Sequence, residues 1–235
     1  VLTVASTGVF ANKNVATGKT VTLTSTYGGA DIGNYSITNQ ASITADITTK
    51  ALTVSGLVAN NRVYDGTNVA AITTSNAMLT GLLTGDLVTV STTGLFNDKN
   101  VGTAKAVALT STYAGADRNN YSITDQTSST ANITPKALTV SGITVANKVY
   151  DNTTSSTVNS STPTLTGLVS GDVLTVSATG VFSDENVGTG KTVTLTSSYS
   201  GTDRNNYTIT GQPTATANIT KLDVALSGDT SLTKV

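Results

Sequence analysis

The sequence has 235 residues, with 13 Lys plus Arg against 14 Asp plus Glu and no His, Cys or Trp. Those absences exclude the usual zinc sites, Ser-His-Asp and Cys-His nucleophiles, and any disulfide framework. A net charge of −1 supplies no basic field for phosphates, so no nucleic-acid partner is expected.

The chain opens on Val1–Phe10 (VLTVASTGVF), without the basic-then-apolar pattern of a signal peptide and without Met. It therefore reads as a processed chain or a piece of a longer one. The opening stretch recurs at Leu87–Phe96 (LVTVSTTGLF) and at Val173–Phe182 (VLTVSATGVF), offset by 86 residues each time. The same offset relates Asn14, Asn100 and Asn186; Tyr27, Tyr113 and Tyr199; Tyr35, Tyr121 and Tyr207; and Ile47, Ile133 and Ile219. No gap is needed, so internal repetition sets the organisation. Residues 1–49 are the C-terminal part of a repeat, and 50–135 and 136–221 are complete repeats. Residues 222–235 begin a further repeat or form a donor strand, because Leu222–Gly228 (LDVALSG) lies in register with Lys136–Gly142 (KALTVSG).

A period of 86 residues exceeds the roughly 20–45 of a solenoid coil and approaches the roughly 100 of a self-sufficient β-sandwich. About a fifth of the residues are Thr, a β-former that keeps a hydroxyl for water. Only 11% of the residues are charged, against about 25% in an ordinary globular chain. In the third repeat, alternation and turn residues predict strands at about 137–141, 147–151, 164–169, 173–182, 191–199, 206–210 and 214–220. In Thr192–Thr196 the aliphatic residues point inward and the threonines outward. The expected core is Leu138, Val140, Tyr150, Leu165, Leu168, Leu174, Val176, Phe182, Val193, Leu195, Tyr207, Ile209 and Ile219. The fold class is all-β: tandem immunoglobulin-like sandwiches with no helix. No apolar run approaches the roughly 18 residues of a membrane-spanning helix.

Four motifs run in a fixed order through the repeats. Arg62-Val63-Tyr64-Asp65-Gly66-Thr67 and Lys148-Val149-Tyr150-Asp151-Asn152-Thr153 are followed by Leu-x-Gly-Leu-x-x-Gly-Asp at 79–86 and 165–172. Phe-x-(Asp/Asn)-x-Asn-Val comes next, at 10–15, 96–101 and 182–187, and then Asn-Tyr-(Ser/Thr)-Ile-Thr at 34–38, 120–124 and 206–210. In this combination the chain resembles the YDG family of bacterial immunoglobulin-like repeats, close to the "mostly bacterial Ig" (MBG) modules. Asn152 departs from the motif's Gly, and Asn tolerates a positive φ there. The resemblance implies a haemagglutinin-like adhesin or surface exoprotein, outside the cell or on the bacterial surface.

As sites, Tyr64 and Tyr150 are read as core plugs, with Asp65 and Asp151 accepting backbone N–H groups in the following turn and Gly66 permitting that turn. No acid, base or nucleophile partner accompanies them, so no catalytic residue, enzyme activity or cofactor is expected. Asp86, Asp98 and Asp117, with Asp172, Asp184 and Asp203, are scattered in sequence rather than spaced as a calcium loop, and no metal site is expected. Rows such as Thr20, Thr22 and Thr24 read as a solvated face, since sandwich strands twist where ice-binding surfaces are flat. Asn-x-Ser/Thr triplets, as at Asn34 and Asn120, are expected by chance in this composition. Lys50 with Asn132, and Lys136 with Asn218, open and close the same repeats and are candidates for intramolecular isopeptide bonds.

The function expected is a non-catalytic stalk or fibre of a surface adhesin, with neighbouring copies or further repeats as partners. Strand complementation through the tail would extend it into filaments. The alternative is a binding module that recognises glycan, a host protein or ice through loops at 97–104 and 183–191.

Overall fold

The fold is given by a computed structural model that describes residues 1–225. Of residues 222–235, expected to begin a further repeat or form a donor strand, 226–235 lie outside the described residues. The chain is all-β, with strands of two to thirteen residues joined by turns. Among the described residues three single 3-10 turns interrupt it, at Ile32–Asn34, Arg118–Asn120 and Arg204–Asn206. Each runs from an Asp to an Asn three residues on: Asn206 N–H donates to Asp203 C=O, as Asn120 does to Asp117 and Asn34 to Asp31. No helix among the described residues is long and apolar enough to cross a membrane.

The third repeat shows the layers. One sheet runs Thr164–Thr166, Lys136–Ser141, Tyr207–Thr210, with Lys136–Ser141 antiparallel to the first and parallel to the last. The other runs Lys148–Val149, Thr214–Thr220, Gly188–Ser200, Thr175–Phe182. Its first pair is parallel and the others antiparallel. Val140 from the first sheet, Ile143 beyond its end, and Val176, Phe182, Val193, Leu195, Ala217 and Ile219 from the second form one buried cluster. Strand alternation produces it, since Val193 and Leu195 are buried while Thr192, Thr194 and Thr196 are exposed. At Gly180 an added Cβ would lie 2.8 Å from Val193 Cγ1, so the strand Thr175–Phe182 can approach its partner only without a side chain there.

All seven expected strands are present, most of them shortened at the ends. The stretch expected at 147–151 pairs only over Lys148–Val149, because the Asp151-Asn152 turn follows at once. Two short strands, Thr144–Val145 and Val158–Asn159, pair with each other in a loop the pattern left unassigned. Of the expected core, Tyr150, Leu165, Leu168, Leu174 and Ile209 are half-buried and the rest are buried.

The pairings recur 86 residues earlier. Lys50–Ser55 lies parallel to Tyr121–Thr124 and antiparallel to Met78–Thr80, and Thr89–Phe96 pairs with Gly102–Ala114. In residues 1–49 the strands Thr3–Phe10, Ala16–Gly28 and Ser42–Ile47 form a three-stranded sheet. The compact units of the chain are not the sequence repeats themselves. Residues 61–68 and 98–105, from the second repeat, cluster with 132 onward, and residues 1–60 cluster with 69–97 and 106–131. One end of each repeat thus packs with the start of the next.

Candidate functional site

The Tyr-Asp-Gly segment lies at that packing. Arg62–Val63 adds in parallel to Ser128–Thr134, and the next residue continues the ladder, Tyr64 N–H donating to Thr134 C=O at 2.9 Å. This places the Tyr64 ring, 1% exposed, against the following repeat. Its hydroxyl lies 3.0 and 2.8 Å from the two carboxylate oxygens of Asp172. Tyr207 also donates to Asp172, with its ring edge-on to Tyr64 at a centroid distance of 5.5 Å. Lys99 Nζ bridges Asp172 and Asp203 at 2.9 Å each and stands 5.8 Å from the centre of the Tyr64 ring, in cation–π range.

Backbone groups orient these side chains. Val169 N–H donates to the Tyr207 hydroxyl at 2.9 Å, and Val173 N–H to Asp203 at 3.0 Å. Asn206 accepts from Val101 N–H at 2.9 Å and donates to the Asn100 side chain at 3.1 Å. Tyr64, Lys99, Asn100 and Val101 come from the repeat 50–135, while Asp172, Asp203, Asn206 and Tyr207 come from 136–221. The ionic seam is therefore a junction between successive repeats.

Its electrostatics fix the protonation states. Burial alone would raise the Asp172 carboxyl, but hydrogen bonds from Lys99, Tyr207 and Tyr64 outweigh it and hold the group below the ordinary carboxylate range. Asp203 is lowered by Val173 N–H and then by Lys99. Bonds to Asp172, Asp203 and Tyr64 raise Lys99 above the usual lysine value. Burial, and then Asp172, raises both phenols, so Tyr64 and Tyr207 remain donors. The arrangement can hold: two carboxylates share one lysine, and two phenols and a backbone N–H donate to them as well.

The lowered carboxyls have a consequence for pH. A carboxylate with a depressed folded pKa stabilises fully above its unfolded pKa, about 3.9, and loses that stability as pH falls through the folded value. Lys99, raised, does the reverse above the ordinary lysine range. A flat stability profile is expected between about pH 5 and 9, with a fall below about pH 4 that Asp172→Asn makes shallower. Urea melts across pH check this.

The same junction recurs one repeat earlier. Lys13 Nζ bridges Asp86 at 2.5 Å and Asp117 at 2.7 Å, Tyr121 donates to Asp86 at 2.6 Å, and Leu83 N–H donates to Tyr121 at 3.0 Å. Asn120 accepts from Val15 N–H at 3.0 Å. Four of the acidic residues that are scattered in sequence thus meet in two pairs, Asp86 with Asp117 and Asp172 with Asp203, each closing on a lysine, while Asp98 and Asp184 pair singly with Lys105 and Lys191. No cluster of His, Cys, Asp or Glu suited to a metal ion occurs among the described residues. At the third equivalent position the lysine is replaced by Glu185.

Asp65 accepts from Thr67 N–H at 2.8 Å and pairs with Arg62 at 2.7 Å; Asp151 does the same with Thr153 N–H at 3.0 Å and Lys148 at 2.7 Å. Gly66 (φ 82°) and Asn152 (φ 61°) both adopt the left-handed conformation the turn requires. The two tyrosines differ. Tyr64 reaches into the next repeat, whereas Tyr150 is half-buried beside its own core and donates to Asn152 at 3.0 Å. Lys136 and Asn218 stand on strands of different sheets, Lys136–Ser141 and Thr214–Thr220. The side-chain oxygens of Asn132 and Asn218 accept from Ala104 and Gly190 N–H, each at 2.7 Å, near the start of the long strands Gly102–Ala114 and Gly188–Ser200. Lys50 opens Lys50–Ser55 opposite Tyr121. Intact mass is expected to match the unmodified chain, without loss of ammonia for either Lys–Asn pair.

Sequence reasoning named Tyr64 and missed its partners. The signal was the exact recurrence of Lys13 as Lys99, Asp86 as Asp172, Asp117 as Asp203 and Asn120 as Asn206, polar positions whose turn roles alone do not account for the recurring lysine. A family model described as YDG domain matches residues 1–45, 48–130 and 134–217. No curated protein and no solved structure matches the chain. The matched segments follow one another with the period of the repeat, and the chain belongs to the YDG domain family.

Proposed function

We propose that this chain is a non-catalytic structural repeat region, the stalk or fibre of a bacterial cell-surface or secreted adhesin. The observation that carries the reading is the junction at Asp172: its carboxylates, lysine and phenols bond to one another and tie one repeat to the next. A low-charge, Thr-rich surface suits an array that stays hydrated outside the cell, where the absence of Cys makes it indifferent to redox state. In this role the repeats supply length, and adhesion resides in other parts of the protein. A glycan array and a cell-adhesion assay on the isolated chain test it. No saturable binding is expected, and a defined glycan bound by the loops at 97–104 or 183–191 would replace the stalk with a recognition module.

Filament growth by strand complementation extends the proposal. Lys136–Ser141 lies parallel to Tyr207–Thr210, but among the described residues no strand pairs with the equivalent stretch 35–38, and Tyr35 is 58% exposed. Leu222–Gly228, in register with Lys136–Gly142, has the pattern to fill that place in another copy, with Val224 and Leu226 at the positions of Leu138 and Val140. Assembly seen by electron microscopy is expected to cease on deletion of residues 222–235. Filaments that persist without the tail would exclude this mode.

A further inference from the structure

The first and last segments of the third repeat run side by side in the same direction. Lys136–Thr139 pairs in parallel with Tyr207–Thr210, and Lys148–Val149 with Ile219–Thr220. The first pairing belongs to one sheet and the second to the other, yet the offset is the same. Lys136 and Tyr207 lie 71 residues apart, as do Val149 and Thr220, and Asn147 and Asn218.

The two segments thus change sheets together, and Gln212 holds the crossing. Its side-chain carbonyl accepts from Ile143 N–H at 2.9 Å, and its amide donates to Ile143 C=O at 2.8 Å. Past the crossing the Asn147 side chain accepts from Asn218 N–H at 2.7 Å, and Tyr150 N–H donates to Thr220 C=O at 2.9 Å. The motif's Lys148-Val149-Tyr150 is therefore the end of a ribbon that begins at Lys136. Lys136–Ser141, by which the chain enters, is held on its other side by Thr164–Thr166, and Thr214–Thr220, by which it leaves, by Gly188–Ser200. The same bonds recur in the repeat 50–135. Lys50 pairs with Tyr121 and Arg62 with Ile133, Gln126 bonds both backbone groups of Leu57, and Asn132 N–H donates to Asn61.

Tension along the chain pulls Lys136 and Thr220 apart, and these residues stand at opposite ends of the ribbon. The load runs along the strands and across their hydrogen bonds, which are evenly spaced in a parallel ladder, so the bonds share it and must slip together. Pulling on the open end of an antiparallel hairpin instead breaks its ladder one bond after another. We propose that the parallel ribbon is a shear clamp, which gives these repeats a load-bearing function along the chain and makes the Tyr-Asp-Gly segment the clamp's last link. The inference rests on the stalk reading for its purpose, since a stalk transmits tension, and on the strand pairing for its mechanism.

The chain has no Cys, so introduced thiols attach handles at chosen places. In the full chain, Pro135→Cys with Lys221→Cys loads the third repeat along the ribbon. Thr175→Cys with Ser200→Cys, at partnered positions of one hairpin, opens that hairpin from its free end. Single-molecule force spectroscopy in reducing buffer, at one loading rate, compares the two. A higher unfolding force is expected along the ribbon. At constant force, Gln212→Ala should shorten the folded lifetime along the ribbon at least about fivefold, the worth of one hydrogen bond, and shorten it less through the hairpin. Forced unfolding reports the unfolding rate, so a loss of equilibrium stability alone does not produce this dependence on direction. If Gln212→Ala misfolds by circular dichroism, the comparison of handles in the otherwise unaltered chain decides alone. A force along the ribbon no higher than through the hairpin, or equal shortening in both directions, would overturn the clamp. Saturable glycan binding would remove the stalk reading and leave the force difference standing, so the two fail separately.

Discussion

Asp172→Ala is expected to destabilise the compact unit containing it by about 2–3 kcal/mol, chiefly because it leaves the buried hydroxyls of Tyr64 and Tyr207 without their acceptor. The Asp172 side chain is 2% exposed and serves Lys99, Tyr64 and Tyr207 together. Its removal leaves a lysine and two buried phenols to find new partners, with Asp203 alone remaining to Lys99. Asp172→Asn keeps the shape and most of the hydrogen bonding but removes the charge, so its loss should be smaller. Urea denaturation followed by circular dichroism measures both. A loss for Asp172→Ala of less than about 1 kcal/mol, the scale of an exposed ion pair, would mean the junction is not a structural tie.

Tyr64→Ala should cost about 3–5 kcal/mol, as large-to-small changes at buried aromatic positions do. Tyr64→Phe keeps the ring and removes only the hydroxyl; Asp172 still has Lys99 and Tyr207, so the loss should lie near 1 kcal/mol. Tyr150→Ala is the internal control. It alters the same motif, but a half-buried ring whose hydroxyl reaches only Asn152 should lose less than Tyr64. Equal losses at 64 and 150 would place the importance of the motif tyrosine in its own repeat's core, and a larger loss at 64 would place it in the junction. Melting of the three variants side by side gives the ranking without an absolute reference.

Both expectations come from where the motif side chains end up, and that was only partly legible in the residues. Alternation in Thr192–Thr196 and the turn at Asp151-Asn152 are local, so strands, faces and the positive-φ position could be read from composition and order. Ile143 and Ala217 were not expected in the core. Ile143 lies just past a strand end, where alternation gives no signal; Ala217 shares the inward face of Ile219 but is small, and the facing sheets enclose both. Lys99 and Asp203 look like ordinary surface charges, because an ion pair formed across 104 residues leaves no local periodicity.

The sequence alone determined that this protein is a β-repeat of fixed period, since side-chain alternation and self-similarity are properties of neighbouring and equivalent residues. Only the tertiary structure decided that Tyr64 bonds outward to Asp172 while Tyr150 stays beside its own core. That choice depends on whether a following repeat brings its carboxylate within about 3 Å of the phenol, a distance set by packing between residues far apart in the chain.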